Sequence, residues 1–163
     1  MRYTWLMCSP SVSLQRLAPT DISLLRKLNA LFGEAFGELA TYTAEPPSDA
    51  YVESLLAKEH LIALVALAGE KVLGGLVAYE LEKFERARRE IYIYDLAVDA
   101  AYRRRGIATT LVERLREIAI RRGVWVIYAQ ADTRDGPAIA FYEKLGIRED
   151  VLHFDIKVEP QHP

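Results

Sequence analysis

Residues 91–131 constrain this chain more than any other stretch. Ile91–Val98 (IYIYDLAV) reads as a strand, and after a short link Arg103–Ala108 (RRRGIA) opens an amphipathic helix to about Arg122. Ile107, Leu111, Leu115 and Ile118 fall on the buried face of that helix. Gly123 is a natural stop, and Val124–Ala131 (VWVIYAQA) is nearly continuous in apolar character, as expected of a strand covered on both faces. A strand therefore delivers the chain to a helix start made of basic residues and one glycine. The first amides of a helix have no partner within it, and the helix dipole favours an anion there. Amides near Arg104–Thr109 are expected to point outward at a phosphate. Gly106 allows close backbone approach, Ala108 keeps the approach uncluttered, and Arg103, Arg104 and Arg105 add charge. The expected ligand is a pyrophosphate, although a triple arginine also suits a solvated helix terminus. Neither the GxxxxGK[ST] loop nor the GxGxxG fingerprint occurs.

The rest of the chain completes an α/β (α+β) pattern. Val12–Leu17 alternates as an edge strand, and Pro19, Thr20 and Asp21 supply capping chemistry for a helix to about Phe36. Ile22, Leu24, Leu25, Leu28, Leu31 and Phe32 give that helix one inward face. A second short helix is expected over 48–58. His60–Ala68 and Val72–Leu81, joined by Gly69-Glu70, read as an antiparallel hairpin, with Gly74 and Gly75 marking a bulge or a close backbone approach. Glu82–Arg89 is a connecting loop. Pro137 fits the first turn of a helix over 138–145, and Val151–Val158 (VLHFDIKV) alternates as a last strand. No repeat or linker interrupts this order, so the 163 residues are expected to form one domain, 1–163, with its core at about 12–158.

Charge narrows the function. With 21 basic and 23 acidic side chains the formal net charge is −2, which argues against a nucleic-acid partner that demands many phosphate contacts. No apolar run approaches the ~20 residues of a membrane span, and residues 1–10 lack the pattern of a secretory leader. The lone Cys8 has no internal disulfide partner. Together these features favour a soluble, cytoplasmic protein. His60, His153 and His162 show no metal-ligand spacing, so no metal is expected. Asp95 stands out, because an aspartate inside an apolar strand is disfavoured and costly to bury unpaired. It is a candidate general base, with a structural hydrogen bond at a bulge as the competing role. Beside it, Tyr94 either lines a pocket or simply packs. Residues 33–59 carry six acidic side chains (Glu34, Glu38, Glu45, Asp49, Glu53, Glu59) and one basic residue, Lys58. That run is a solvated face or the rim of a site for a cation.

The order helix, hairpin, strand, R-x-x-G-x-A helix, strand, short helix with a tyrosine resembles the GNAT superfamily of acetyl-coenzyme A dependent N-acetyltransferases, across about residues 12–158. Five stretches resemble more closely the type I aminoglycoside 3-N-acetyltransferases, the gentamicin-acetylating branch. They are FGEAFGELATY (32–42), EIYIYDLAV (90–98), RRRGIAT (103–109), VIYAQAD (126–132) and YEKLGIREDVLHFDI (142–156). The resemblance implies a mixed, mostly antiparallel sheet that splays between its fourth strand, Ile91–Val98, and its fifth, Val124–Ala131. Acetyl-CoA would lie in the gap, with Leu96, Ala97 and Val98 pairing with the pantetheine arm. Arg103, Arg104, Arg105, Gly106, Ile107, Ala108 and Thr109 would hold the pyrophosphate. Asp135 falls where many relatives have a cofactor-contacting asparagine, and Tyr142 matches the tyrosine that can protonate the leaving thiolate. The acceptor would be a cationic small-molecule amine, an aminoglycoside, held by Tyr94, Asp95, Asp49, Asp132 and Asp155. Relatives often pair as homodimers. Polyamines or protein amines are the alternative acceptors, and a catalytically silent CoA-binding module is the alternative of another class.

Overall fold

The computed structural model describes residues 11–158. It divides into two compact units, 1–130 and 131–163, of which the described parts are 11–130 and 131–158. In the first unit β1 (Ser13–Arg16) leads to α1 (Ile22–Phe36), α2 (Leu39–Thr43) and α3 (Asp49–Leu56). Then follow β2 (Leu61–Ala68), β3 (Lys71–Glu82), β4 (Arg89–Val98), a single 3-10 turn (Ala100–Tyr102), α4 (Ile107–Arg121) and β5 (Val124–Ala129). The strands form one sheet in the order β1-β2-β3-β4-β5, antiparallel except for the parallel β4–β5 pair.

Each layer follows from its side chains. β2 is buried along almost its whole length, as a central strand covered by helices on both faces must be. On one face, α1 sets Leu25, Leu28, Leu31 and Phe32 into the core. On the other, α4 buries Ile107, Leu111, Leu115 and Ile118, the four positions its periodicity marks. The glycine pair on β3 serves both faces. A Cβ on Gly75 would lie 2.2 Å from Leu28 of α1, and one on Gly74 would lie 2.9 Å from the Ala97 carbonyl and 3.3 Å from Ile107 of α4. Leu73, next to Gly74, is the extra residue of a bulge against β2. At the far end of the sheet Glu80, only 8% exposed, accepts from Arg122 (2.7 Å) and faces Arg89 (3.3 Å), which ties the end of α4 to β3 and β4.

Three expectations need correction. α2 is a separate short helix that the acidic run conceals. β5 is the edge of the described sheet, with Trp125, Val126 and Tyr128 exposed, so its apolar character does not reflect cover on both faces. In the second unit, α5 (Gly136–Tyr142) starts with Pro137 in its first turn, but 151–158 forms no strand. Alternation produces a strand only beside a partner strand, and among the described residues 151–158 pairs with none. Its apolar side chains, Phe154 and Ile156 among them, are exposed. Cys8 and His162 lie outside the described residues. None of the described helices is long and apolar enough to cross a membrane.

Candidate active site

The site begins where the sheet opens. β5 follows β4 in parallel from Arg89↔Val124 only as far as Ile93↔Ala129, while β4 continues to Val98. Asp95, Leu96, Ala97 and Val98 therefore pair with β3 on one side and, among the described residues, with no strand on the other. Leu96, Ala97 and Val98 occupy the far end of this opening. The Val98 carbonyl accepts from Arg103 Nε at 3.1 Å, so that guanidinium is anchored at the strand end rather than free in solvent.

Beyond the opening lies the start of α4. Gly106 caps the helix at φ +82°, a conformation that suits glycine, and no side chain among the described residues caps the first turn. A Cβ at Gly106 would meet nothing within 4 Å, so the glycine is required by its backbone angle and the space before it is open. Arg104 adopts φ 60°, left-handed for a residue with a Cβ, which costs roughly 1–2 kcal/mol. Arg105 lies over the Tyr102 ring at 5.2 Å. Ile107 is buried and seats the helix, while the Ala108 and Thr109 amides belong to its uncapped first turn. Uncapped amides, open space and exposed arginines suit a diphosphate and a linear arm entering the splay.

Asp95 stands on the same opened stretch of β4. Tyr94 is the extra residue of a bulge, since Asp95 pairs with Val77 and Ile93 with Ala78. The Asp95 carboxyl turns toward the α1–α2 side and is half-buried. Tyr42 of α2 donates its hydroxyl to Asp95 Oδ1 at 3.2 Å. Burial pushes the Asp95 pKa above the ordinary carboxylate value, the Tyr42 hydrogen bond opposes that rise, and the charge of Glu38 adds to it. The Tyr42 phenol is itself pushed up to about 12, first by burial and then by the Asp95 charge, so it remains a donor at neutral pH. A row of tyrosine rings borders the carboxyl: Tyr79 meets Tyr94 edge-on at 5.8 Å, Tyr94 meets Tyr92 at 5.7 Å, and Tyr92 stacks on Tyr128 at 5.1 Å. Aromatic faces beside a carboxylate suit a cation that also carries apolar ring surface.

The other acidic residues have partners of their own. Asp49, in the first turn of α3, pairs with Arg26 of α1 at 2.5 Å and is exposed. In the second unit Asp132 accepts from the Arg134 amide at 2.8 Å and pairs with its side chain at 3.3 Å, which holds its carboxyl below the usual range. Asp135 caps α5 through the Ala138 amide at 3.0 Å, and Tyr142 ends that helix with its ring 5.2 Å from Phe141. Asp155 lies 3.0 Å from His153. Of the residues singled out from the sequence, Tyr94 and Asp95 lie together with Glu38 of the acidic run, and with Tyr42, Tyr79 and Tyr92, three that were not singled out. The spacing of Glu38 and Tyr42 by four residues was the available signal, since it places both on one side of a helical turn. No group of three His, Cys, Asp or Glu suited to a metal ion occurs among the described residues.

Comparison with known proteins agrees with this geometry. Residues 25–147 match the acetyltransferase (GNAT) family. The chain is similar to the crystal structure of an aminoglycoside acetyltransferase from an uncultured soil metagenomic sample, at 54% identity and a TM-score of 0.90, covering 91% of this chain and 99% of that one. A second aminoglycoside acetyltransferase from such a sample, in complex with sisomicin, is 29% identical with a TM-score of 0.84, over 91% of this chain and 97% of that one. N-alpha-acetyltransferase 30 of Xenopus laevis is 30% identical over 89 residues, 55% of this chain and 32% of that protein, so the match spans about a third of its length.

Proposed function

This chain belongs to the acetyltransferase (GNAT) family, and within it we propose that the protein acetylates the 3-amino group of aminoglycosides such as gentamicin by direct transfer from acetyl-CoA. The observation that carries the proposal is Asp95, a half-buried carboxyl on the stretch of β4 that β5 has left, facing α2 beside a row of tyrosines. The likeness to aminoglycoside acetyltransferases supports the choice of acceptor.

An alkyl ammonium of pKa about 10 cannot attack a thioester until it loses a proton. Asp95 takes that proton, directly or through one water, and its raised pKa makes it a better base than a solvent-exposed carboxylate. Acetyl-CoA supplies the activated acetyl thioester. The backbone of Leu96, Ala97 and Val98 aligns the pantetheine arm, and an amide there polarises the carbonyl on which negative charge grows. The amides of Gly106–Thr109, with Arg104 and Arg105, hold the pyrophosphate. Arg103 acts from its anchor on Val98. As the new C–N bond forms and the C–S bond breaks, Tyr142 is the residue that returns a proton to sulfur, and Asp135 supports the cofactor, roles taken from the resemblance. That Asp49, Asp132 and Asp155 add negative charge for a polycation is likewise taken from the resemblance, and it requires Asp49 and Asp132 to exchange their Arg26 and Arg134 partners for the substrate. A homodimer that covers the exposed apolar side chains of 151–158 is part of the same proposal.

Acetylation of protein N-termini is the second reading, favoured by the partial similarity to N-alpha-acetyltransferases. Thiol release measured with gentamicin, spermidine and N-terminal peptides separates the two, and NMR of the product identifies the acetylated nitrogen. Turnover of peptides without turnover of gentamicin rejects the aminoglycoside proposal.

A further inference from the structure

We propose that Tyr42 is a positioning residue for Asp95, seated by the close approach of α1 and α2 that Gly33 permits. The inference rests on the assignment of Asp95 as the base.

The chain of contacts is specific. A Cβ at Gly33 of α1 would lie 2.9 Å from the Leu39 Cα and 3.3 Å from the Tyr42 Cβ, so α2 can lie at its present distance only because position 33 has no side chain. Gly37, at φ 72°, ends α1, and the Glu38 amide donates back to the Gly33 carbonyl at 2.9 Å, which turns the chain directly into α2. One helical turn then separates Glu38 from Tyr42, whose amide donates to the Glu38 carbonyl at 3.3 Å. The Tyr42 ring is fixed by Phe32 at 6.1 Å and Phe36 at 6.0 Å, two residues of α1 that stack on each other at 5.6 Å. Its hydroxyl is thereby presented to Asp95 Oδ1.

The groups that act on Asp95 come from several elements. Glu38 precedes α2, Tyr42 belongs to α2, Tyr79 to β3, and Tyr92 and Tyr94 to β4. Of these, Glu38 carries the negative charge and Tyr42 the hydrogen bond. A donor to the ionised carboxylate favours ionisation, and a nearby negative charge opposes it. Removing the Tyr42 hydroxyl therefore raises the Asp95 midpoint, whereas neutralising Glu38 lowers it. Generic loss of packing cannot produce shifts of opposite sign.

The test titrates the Asp95 carboxyl in the full chain by carbon-detected NMR with labelled aspartate. In parallel, kcat and KM for gentamicin are measured against pH for the parent, Tyr42→Phe, Gly33→Ala and Glu38→Gln. Tyr42→Phe retains the ring between the two phenylalanines, so the fold survives. The expected result is an upward shift of the Asp95 midpoint by about half a pH unit or more in Tyr42→Phe. Gly33→Ala shifts in the same direction and Glu38→Gln in the opposite one. The acid limb of kcat follows each midpoint. An unchanged Asp95 midpoint in folded Tyr42→Phe, or shifts of the same sign in Tyr42→Phe and Glu38→Gln, overturns the inference. Midpoints that move as expected while the rate limb stays fixed sustain the positioning role and reject Asp95 as the base.

Discussion

In the proposed function the helix start at 103–109 and the carboxyl of Asp95 both meet charge, and they are built on opposite plans. The first uses backbone: uncapped amides, a left-handed glycine and exposed arginines, all within seven consecutive residues. The second uses one side chain, half-buried and held by Tyr42, a residue 53 positions away in sequence. An anion site can stay open to water because its ligand brings its own charge and the amides lose little by waiting solvated. A base must be partly removed from water, since burial is what raises its proton affinity. The difference teaches that, under the proposed function, binding is local and exposed, whereas proton transfer is assembled from distant segments and shielded.

Substitutions test that contrast, beginning with the largest effect. Asp95→Asn should lower kcat by about two to four orders of magnitude, the usual contribution of a general base, while calorimetry finds acetyl-CoA affinity unchanged. The same variant should melt at a higher temperature at neutral pH. A carboxyl whose folded pKa is raised binds its proton more tightly when folded, so its charged form opposes folding increasingly as pH rises through that pKa. Loss of affinity together with rate would mean that the two sites are not separate. Gly106→Ala has space for its Cβ but not the backbone angle, and strain of roughly 1–2 kcal/mol predicts about tenfold weaker acetyl-CoA binding. Arg105→Gln should weaken the same affinity only a few-fold, because an exposed charge contributes little. Raising salt from low to physiological ionic strength should weaken acetyl-CoA binding further, while the acid limb governed by half-buried Asp95 barely moves. A limb that shifts with salt as much as the affinity does would erase the contrast.

Legibility followed the same division. The α4 face was readable because Ile107, Leu111, Leu115 and Ile118 repeat with the helical period, and Gly106 because a basic turn before a helix has a local geometry. Asp95 was noticeable as a charge in an apolar strand. Tyr42 was not singled out, and Glu38 only as one of an acidic run, since their four-residue spacing places both on one side of a turn without indicating that α2 folds back on β4. The exposed edge of β5 and the irregular 151–158 were misread for a related reason. Alternation records what a segment can do beside a partner, and a partner is a property of the fold.

By itself the sequence determined the helix and strand periods, the glycine-led helix start at Gly106 and the resemblance to its family, because each depends on residues adjacent in the chain. Only the tertiary structure decided how far β5 follows β4 and which side chains surround Asp95. Strand divergence and the proton affinity of a buried group depend on neighbours that packing brings together across the sequence.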